Sequence, residues 1–275
     1  MTERHRAAVL GSPIAHSLSP VLHRAAYAGL GLEGWTYERF EVDEAALPGF
    51  LAGLDAAEWA GLSLTMPLKR AVIPLLDGIT DTAASVEAVN TVVFTDDGRR
   101  TGDNTDIPGM IEALRERGIE KVGGAAILGA GATASSALAA LARICDGEVT
   151  AYVRSEARAR EMRHWGERLG VAVRTADWAD AAGALTAPLV VATTPAGAAD
   201  ALAAEVPEEA GALFDVLYHP WPTPLAAAWT GPVLGGLDLL VHQAVLQVEQ
   251  MTGVPRAPLA AMRAAGEAAL GASGV

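Results

Sequence analysis

The sequence predicts an α/β protein with two domains, a mainly parallel α/β domain followed by a doubly wound parallel sheet. The main support is the regular alternation of short apolar runs with helical segments from residue 125 onward, a pattern typical of a doubly wound sheet. A second support is a glycine-rich turn that ends the first of these runs and leads directly into an alanine-rich segment. Before residue 105 the elements follow each other less regularly, which predicts a separate domain there.

The first part of the chain is expected to contain strands, helices and one hairpin. Pro20 favours the start of a helix, because proline is well tolerated in the first helical turn. Asp96-Asp97-Gly98 has the composition of a hairpin turn. The predicted strands are 6–11, 36–42 and 61–65, and a hairpin pairs 89–94 with 99–104. One helix is predicted to start near Pro20, and three more are predicted at 44–54, 70–76 and 107–117.

The second part is expected to form the doubly wound sheet and a set of final helices. The predicted strands are 125–129, 148–154, 171–175, 188–193, 212–217 and 232–235, and the predicted helices are 132–144, 155–168, 198–204, 238–252 and one that begins after Pro258. The last helices are too many for the sheet that precedes them, so we expect them to return to the first domain. The predicted domains are 1–105, completed by 238–275, and 106–237.

Bulk composition indicates a globular protein of 275 residues, of which 51% are apolar and 19% charged. The formal charge of -13 argues against a nucleic-acid partner, and no apolar run reaches membrane-spanning length. The single cysteine, Cys145, excludes an internal disulfide and a thiolate metal cluster. His16 and His219 lack the spacing of paired ligands, so no metal is expected. The charged N-terminus lacks a signal-peptide core, which predicts a cytoplasmic protein.

The glycine-rich turn has the features of a dinucleotide-binding loop in a Rossmann-type fold. Gly129 permits a tight turn, Gly131 lets the backbone approach a pyrophosphate, and Ala134 stands in the place of a third glycine. The following helix offers N–H groups and the positive end of its dipole to the phosphates. The expected pyrophosphate contacts are Gly129, Ala130, Gly131, Ala132 and Thr133.

Arg154 favours NADP over NAD as the dinucleotide. It follows the second strand of the unit, at the point where NAD-binding folds commonly carry an acidic residue for the ribose 2′-OH. A guanidinium there would bind a 2′-phosphate through charge-assisted hydrogen bonds. Glu156 lies close in the sequence and would weaken this role, and Arg158 and Arg160 are expected to be solvated.

Three polar residues of the first part, Lys69, Asn90 and Asp106, stand near predicted strand ends. Each alone has an ordinary explanation, since most lysines are solvated, asparagine can begin a strand, and Asp106 could cap the helix at 107. On helical spacing alone, Gln243 belongs with Gln247 and Gln250 to a polar stripe that faces water. The interpretation of Gln243 as a water-facing residue changes only when all the motifs of the chain are considered together, in their order along the sequence.

The ordered motifs resemble those of the shikimate dehydrogenase family, from residue 9 to about 252. They are Ser17-Leu18-Ser19-Pro20, the segment from Ser63 to Lys69, Asn90-Thr91, the segment from Gly102 to Asp106, the glycine-rich turn, Arg154, the Thr-Thr-Pro at 193–195, the segment from Asp215 to Tyr218, and Gln243. Two positions depart from the family pattern. Ser63 replaces the usual asparagine, which leaves a shorter polar group toward the substrate. Val153 replaces the asparagine before the nucleotide-binding arginine.

The resemblance implies reversible reduction of 3-dehydroshikimate to shikimate by NADPH. Hydride addition to the ketone forms an alkoxide, which needs a proton donor. The resemblance implies that Lys69 and Asp106 form this proton-transfer pair and that they meet at a cleft between the domains. The residues that it implies for substrate binding are Ser17, Ser19, Ser63, Thr65, Asn90, Tyr218 and Gln243. Those that it implies near the nicotinamide are Thr193, Val216 and Gly236.

Other interpretations stay open at this point. A member of the same family could prefer quinate or an amino analogue of shikimate. A methylenetetrahydrofolate dehydrogenase would have a similar two-domain shape, but the serine loop suits a small carboxylate instead. A protein that binds NADP without turnover is a third possibility, and the presence of both Lys69 and Asp106 argues against it. We expect a small-molecule substrate, no nucleic-acid or membrane partner, and a monomer or homodimer.

Overall fold

A computed structural model describes residues 5–273, which form two compact units. The first unit comprises residues 5–105 and 240–273, and the second comprises 106–239. The C-terminal helical residues from 240 onward thus belong to the first unit, as the fold prediction required.

The first unit is built on a six-stranded mixed sheet with the order β2-β1-β3-β5-β6-β4. All pairs are parallel except those that β5 makes with β3 and β6. Its strands are β1 (Arg6–Gly11), β2 (Thr36–Glu41), β3 (Trp59–Leu64), β4 (Gly78–Ile79), β5 (Thr91–Phe94) and β6 (Arg100–Asp103). Its helices are α1 (Ser19–Gly29), α2 (Leu47–Ala52), α3 (Leu68–Ala71) and α4 (Asp81–Val86), and the 3-10 helix Ile73–Leu75 follows α3.

The core of the first unit follows from the composition of its central strands. All six residues of β3 are buried, as expected for a strand that is covered on both faces. Leu62 and Val92 pack in one apolar cluster with residues of α2 and α3. The polar Ser63 lies on β3 between the apolar Leu62 and Leu64 and is buried. It therefore needs hydrogen-bond partners inside the unit.

The second unit contains a six-stranded parallel sheet and the helices that cover it. Its strands are β7 (Ala125–Leu128), β8 (Val149–Val153), β9 (Val173–Asp177), β10 (Leu189–Ala192), β11 (Ala212–Asp215) and β12 (Val233–Leu234). Its helices are α5 (Asp106–Glu116), α6 (Ala132–Ile144), α7 (Glu156–Leu169) and α8 (Pro224–Ala228), with 3-10 helices at Trp178–Thr186 and Asp200–Glu205. Helix α9 (Gly236–Thr252) begins in this unit and continues into the first, which also contains α10 (Leu259–Ser273).

The strand order of the second sheet is β12-β11-β10-β7-β8-β9. Numbered within the unit, this is 6-5-4-1-2-3, the order of a doubly wound dinucleotide-binding fold. The order reverses between β7 and β10, and in such sheets ligands bind at the carboxyl ends of the strands next to this point. The predicted fold class is therefore confirmed, and the glycine-rich turn after β7 lies at the reversal.

Several elements differ from the sequence prediction in extent or type. The predicted helix at 70–76 begins at Leu68 and changes to 3-10 geometry at Ile73. The predicted helix at 198–204 is the 3-10 helix Asp200–Glu205. Strand β4 and the 3-10 helix Trp178–Thr186 were not predicted, and a strand of two residues is too short to produce a periodic pattern.

Candidate active site

The loop between β1 and α1 carries Ser17 and is fixed by two residues of β2. The Arg39 guanidinium donates to the carbonyl oxygens of Ala15 and Ser17. The Glu41 carboxylate accepts from the Ser12 hydroxyl at 2.8 Å. Because these bonds hold both ends of the loop, Ser17 has a defined position beside the sheet.

Tyr37 connects this serine loop with β3. Ser19 is the first residue of α1, and its N–H donates to Ser17 Oγ at 3.3 Å. The Tyr37 hydroxyl hydrogen-bonds the Ser19 side chain and donates to Ser63 Oγ at 2.6 Å. Burial raises the pKa of Tyr37, so the phenol stays a neutral donor. Sequence reasoning missed this residue, because a tyrosine in an alternating strand is not distinguishable from an ordinary core residue.

Thr65 and Lys69 follow β3 in a segment that packs closely on the end of β1. A Cβ atom at Gly11 would collide with Thr65 Cγ2, so only glycine at this position admits Thr65. The Thr65 carbonyl accepts from the Leu68 N–H at 2.8 Å, where α3 begins. Lys69 is half-buried on α3, and its carbonyl accepts from the Val89 N–H at 2.8 Å. The backbone of Lys69 is thereby attached to the segment that leads into β5.

Asn90 lies directly before β5 and is the centre of a buried polar group. Its Oδ1 accepts from the Thr105 N–H at 2.8 Å and from the Thr91 hydroxyl at 2.9 Å. Its Nδ2 donates to Thr105 Oγ1 at 3.0 Å and to Gln243 Oε1 at 3.3 Å. Asn90 and Gln243 are 153 positions apart in the chain, and the fold of the first unit brings their side chains together.

The glutamines of α9 do not form the water-facing stripe that helical spacing predicts. Gln243 is 6% exposed and Gln247 is 1% exposed. Only Gln250 of the three is exposed, and it donates to Asp103 Oδ2 at 2.7 Å. The stripe prediction is wrong for Gln243 and Gln247, because helical spacing shows which residues share a face and not whether that face meets water.

His23 is a second residue that sequence reasoning missed. It lies on α1, its ring stacks on Tyr37 with 3.8 Å between centroids, and its Nε2 is 3.3 Å from Gln247 Oε1. Burial lowers the pKa of His23 to about 3, so the ring is neutral near pH 7. A neutral imidazole has one N–H, and the oxygen opposite Nε2 can only accept, so the proton lies on Nε2.

Two further candidates, Asp106 and Tyr218, lie in the second unit. Asp106 is the first residue of α5 and is buried, so it stands within the helix whose start was predicted at residue 107. Tyr218 follows β11 and is half-buried. The pairing of Asp106 with Lys69 and the substrate-binding role of Tyr218 stay predictions.

The glycine-rich turn has a shape that only glycine permits at its first position. Gly129 has a φ of +114°, and a Cβ atom there would lie 2.7 Å from Thr193 Oγ1. The Thr193 N–H and hydroxyl both donate to the Leu128 carbonyl, each at 2.9 Å. Gly131 precedes α6 and has no side chain with which to cap it. The first N–H groups of α6 are thus available to an anion, which fits a dinucleotide pyrophosphate.

Arg154 and Trp178 follow the paired ends of β8 and β9. Val153 lies opposite Asp177 in the sheet, so the next residue of each strand end is Arg154 or Trp178. The Arg154 guanidinium carbon is 4.9 Å from the Trp178 ring centroid, a cation–π contact. Arg154 is exposed, and its position suits an anionic group bound beside β8.

The neighbouring charges on α7 form ion pairs with each other, and Arg158 and Arg160 are exposed as expected. Glu156 pairs with Arg163 at 2.6 Å, so its carboxylate is engaged away from Arg154. Arg158 pairs with Glu161 at 2.7 Å, and the same Nη1 lies 3.4 Å from the Ala130 carbonyl oxygen. Arg158 is therefore directed to the glycine-rich turn and is not only a solvated side chain.

The segment after β11 holds the remaining cofactor candidates. The Val216 N–H donates to a β10 carbonyl at 3.0 Å, and the Gly236 N–H donates to the Leu217 carbonyl at 2.9 Å. Asp215 accepts from the Leu217 N–H at 3.1 Å and from the Thr223 hydroxyl at 2.7 Å. Burial raises the pKa of Asp215.

Metal centres and membrane-spanning helices are two other features to consider in the described residues, 5–273. Within them, no group of three or more histidine, cysteine, aspartate or glutamate side chains is arranged to hold a metal ion. None of the helices within this range is both long and apolar enough to cross a membrane.

The fold and the polar groups define a class of protein: a dinucleotide-binding α/β protein whose other unit carries a compact polar site. Comparison with known families is more specific. Residues 9–92 match the model of the shikimate dehydrogenase substrate binding domain, and residues 236–265 match that of the shikimate 5'-dehydrogenase C-terminal domain. The chain belongs to the shikimate dehydrogenase family.

Individual relatives support this membership over most of the chain. The shikimate dehydrogenase (NADP(+)) of Oleidesulfovibrio alaskensis is 39% identical over 252 residues, which cover 87% of this chain and 86% of the relative. The crystal structure of Mycobacterium tuberculosis shikimate dehydrogenase is 43% identical with a TM-score of 0.86, and covers 96% of this chain and 99% of its own. The Thermus thermophilus enzyme, solved with NADP(H) and shikimate, is 36% identical with a TM-score of 0.83, over 97% of this chain and 100% of its own.

Proposed function

We propose that this protein catalyses the reversible, NADP(H)-dependent reduction of 3-dehydroshikimate to shikimate. The observation that carries the proposal is the buried contact between Asn90 and Gln243, at 3.3 Å, within the unit that matches the family's substrate-binding model. It gathers two of the amides that the family resemblance assigns to substrate binding. The first unit therefore binds the substrate, and the second binds the dinucleotide.

Different polar residues of the first unit bind different groups of the substrate. Ser17 and Ser19 bind the carboxylate, since the Ser19 N–H donates to Ser17 Oγ at 3.3 Å and places the two serines side by side in the fixed loop. Thr65, Asn90 and Gln243 bind ring hydroxyls, together with Ser63, and Tyr218 of the second unit closes on the carboxylate side. Both donors of the Asn90 amide are used within the unit. A substrate hydroxyl therefore replaces the longer of these two bonds, to Gln243.

Proton transfer is the task of Lys69 and Asp106. Reduction of a ketone creates an alkoxide, and the Lys69 ammonium delivers a proton to that oxygen. The Asp106 carboxylate holds the ammonium in place. In the reverse direction Lys69 accepts the proton of the substrate hydroxyl, and the same pair serves both directions.

The second unit holds NADP(H), which supplies or accepts the hydride when bound. The turn from Gly129 to Thr133 and the start of α6 hold the pyrophosphate, as the glycine-only geometry at Gly129 indicates. Arg154 binds the 2′-phosphate, and Arg158 supports the turn through its contact with the Ala130 carbonyl. Thr193, Val216 and Gly236 line the nicotinamide half.

The test is an NADP⁺ reduction assay with shikimate beside quinate, repeated with NAD⁺. We expect turnover with shikimate and NADP⁺, weaker turnover with NAD⁺, and little with quinate. Efficient turnover of quinate with NAD⁺ would instead indicate a member of the family that prefers quinate. Binding of NADPH without turnover of either acid would favour a sensor. We further propose a cytoplasmic protein that acts as a monomer or homodimer.

A further inference from the structure

Gln247 is a buried polar residue for which substrate chemistry gives no role. It lies on α9, one helical turn after Gln243, and only 1% of its surface is exposed. Its Oε1 accepts from the Ser63 hydroxyl at 2.7 Å and lies 3.3 Å from His23 Nε2. Its Nε2 donates to the Asn90 carbonyl at 3.2 Å and to Thr91 Oγ1 at 3.0 Å.

The orientation of the Gln247 amide follows from these partners. The Asn90 carbonyl can only accept, so the amide nitrogen must face β5 and the amide oxygen must face Ser63 and His23. Two donors and two acceptor positions are then all in use. Gln247 has no hydrogen-bonding group left for a ligand, and any effect on substrate must pass through its neighbours.

Those neighbours are residues of the proposed substrate site. From Gln247 Nε2 a bond runs to the Thr91 hydroxyl, which donates to Asn90 Oδ1 at 2.9 Å. On the other side, the Ser63 hydroxyl donates to Gln247 and accepts from Tyr37. One side chain thus fixes the Asn90 amide and the Ser63 hydroxyl together.

We propose that Gln247 is a positioning residue that sets the hydrogen-bond directions of Asn90 and Ser63 toward the substrate, an inference that rests on the proposed function. The Thr105 N–H and the Thr91 hydroxyl both donate to Asn90 Oδ1, and Gln247 directs the Thr91 hydroxyl toward that oxygen. The Thr91 bond thus supports the orientation of the Asn90 amide in which Nδ2 is directed to the position of a substrate hydroxyl. The single hydroxyl hydrogen of Ser63 is donated to Gln247 Oε1. Ser63 therefore offers the substrate only an acceptor, which selects a hydroxyl donor at that place.

Gln247→Met and Thr91→Val test the proposal with different degrees of disturbance. Gln247→Met keeps the length of the side chain and removes all four bonds. Thr91→Val is nearly isosteric and removes the link from Gln247 to the Asn90 side chain, together with the 3.3 Å contact of Thr91 Oγ1 with Thr105 Oγ1. The control is Gln250→Met, on the same helix, where the side chain is exposed and bonds Asp103. The readouts are KM for shikimate, KM for NADP⁺ and kcat, with circular dichroism to establish folding.

We expect Gln247→Met to raise KM for shikimate about tenfold, the size of one lost buried hydrogen bond, and to leave KM for NADP⁺ within twofold. Thr91→Val should raise KM for shikimate about threefold, and the double variant should show less than the product of the two effects. Gln250→Met should stay within about twofold of wild type on all three constants.

The proposal is overturned if folded Gln247→Met and Thr91→Val both keep the wild-type KM for shikimate, or if KM for NADP⁺ rises equally. If Gln247→Met does not fold, the Thr91→Val result decides alone. Absence of turnover in the wild-type protein would instead overturn the proposed function, so the two failures are distinct.

Discussion

The guanidinium of Arg154 stacks over the indole of Trp178, with 4.9 Å between the guanidinium carbon and the ring centroid. The register of β8 and β9 places the two residues beside each other at the strand ends. An exposed arginine usually samples many rotamers, and a face of an aromatic ring restricts it. The contact therefore holds the Arg154 guanidinium at the place where a 2′-phosphate is expected.

Arg154→Gln should weaken use of NADPH and spare use of NADH. Loss of a charge-assisted hydrogen bond costs about 1.5–3 kcal/mol, so we expect KM for NADPH to rise by at least about tenfold. The NADH constants should change by less than about twofold, since that cofactor has no 2′-phosphate. Arg160→Gln, an exposed arginine on α7, is the matched control. An equal loss with both cofactors would contradict the 2′-phosphate role.

Trp178→Leu should have a smaller effect of the same kind. A cation–π contact at an exposed site contributes about 0.5–1 kcal/mol, so KM for NADPH should rise about two- to fivefold. Steady-state kinetics with NADPH and NADH measures this difference. If Trp178→Leu lowers kcat with both cofactors and leaves KM for NADPH unchanged, the indole does not act through Arg154.

Gly129→Ala and Gly131→Ala should separate stability from cofactor affinity. At Gly129 a methyl group meets Thr193 and the φ is +114°, so we expect a loss of about 1–3 kcal/mol in the free energy of unfolding. At Gly131 the space is open, so alanine should leave stability unchanged and weaken NADP⁺ binding. Urea unfolding and fluorescence titration with NADP⁺ measure the two effects. Equal stability losses in both variants would contradict this account of the turn.

His23 should make the folded protein sensitive to acid. Below pH 6.5 the unfolded chain binds a proton on His23 that the folded chain does not bind until about pH 3. The unfolded state then binds more protons, so the free energy of unfolding falls as the pH falls through this window. The contribution of His23 between pH 7 and pH 5 is about 2 kcal/mol.

Urea unfolding at pH 7 and pH 5 checks this prediction in wild type and His23→Phe. Phenylalanine preserves the ring that stacks on Tyr37 and removes the titrating group. The variant should therefore lose about 2 kcal/mol less stability than wild type between the two pH values. His164→Gln replaces an exposed histidine of α7 and should behave as wild type. Identical pH dependence in wild type and His23→Phe would show that the buried ring is not responsible.

Local patterns predicted the second unit well. Helix α6 has the predicted bounds, since a glycine-rich turn precedes a run of strong helix formers. Apart from β9, the strands of the parallel sheet are short, mainly apolar runs, which is a clear signal. Their order, and the contact of Arg154 with Trp178, depend on strand pairing that no local pattern contains.

The polar site of the first unit was predicted only in part. The motif order suggested Asn90 and Gln243, but Tyr37, His23 and Gln247 have no local feature that separates them from ordinary residues. Their hydrogen bonds join segments as much as 224 positions apart, as between His23 and Gln247. Which glutamines of α9 face inward depends on how the C-terminal segment returns to the first sheet, and spacing along the helix does not determine this.

The most direct test of the central claim is kcat for oxidation of shikimate by NADP⁺ in Lys69→Ala. If Lys69 transfers the proton, kcat should fall by about 10²–10⁴-fold. The dissociation constant for NADP⁺ should stay within about threefold of wild type, because the proposed cofactor contacts belong to the second unit. A Lys69→Ala protein that keeps the wild-type kcat would contradict the proposed chemistry.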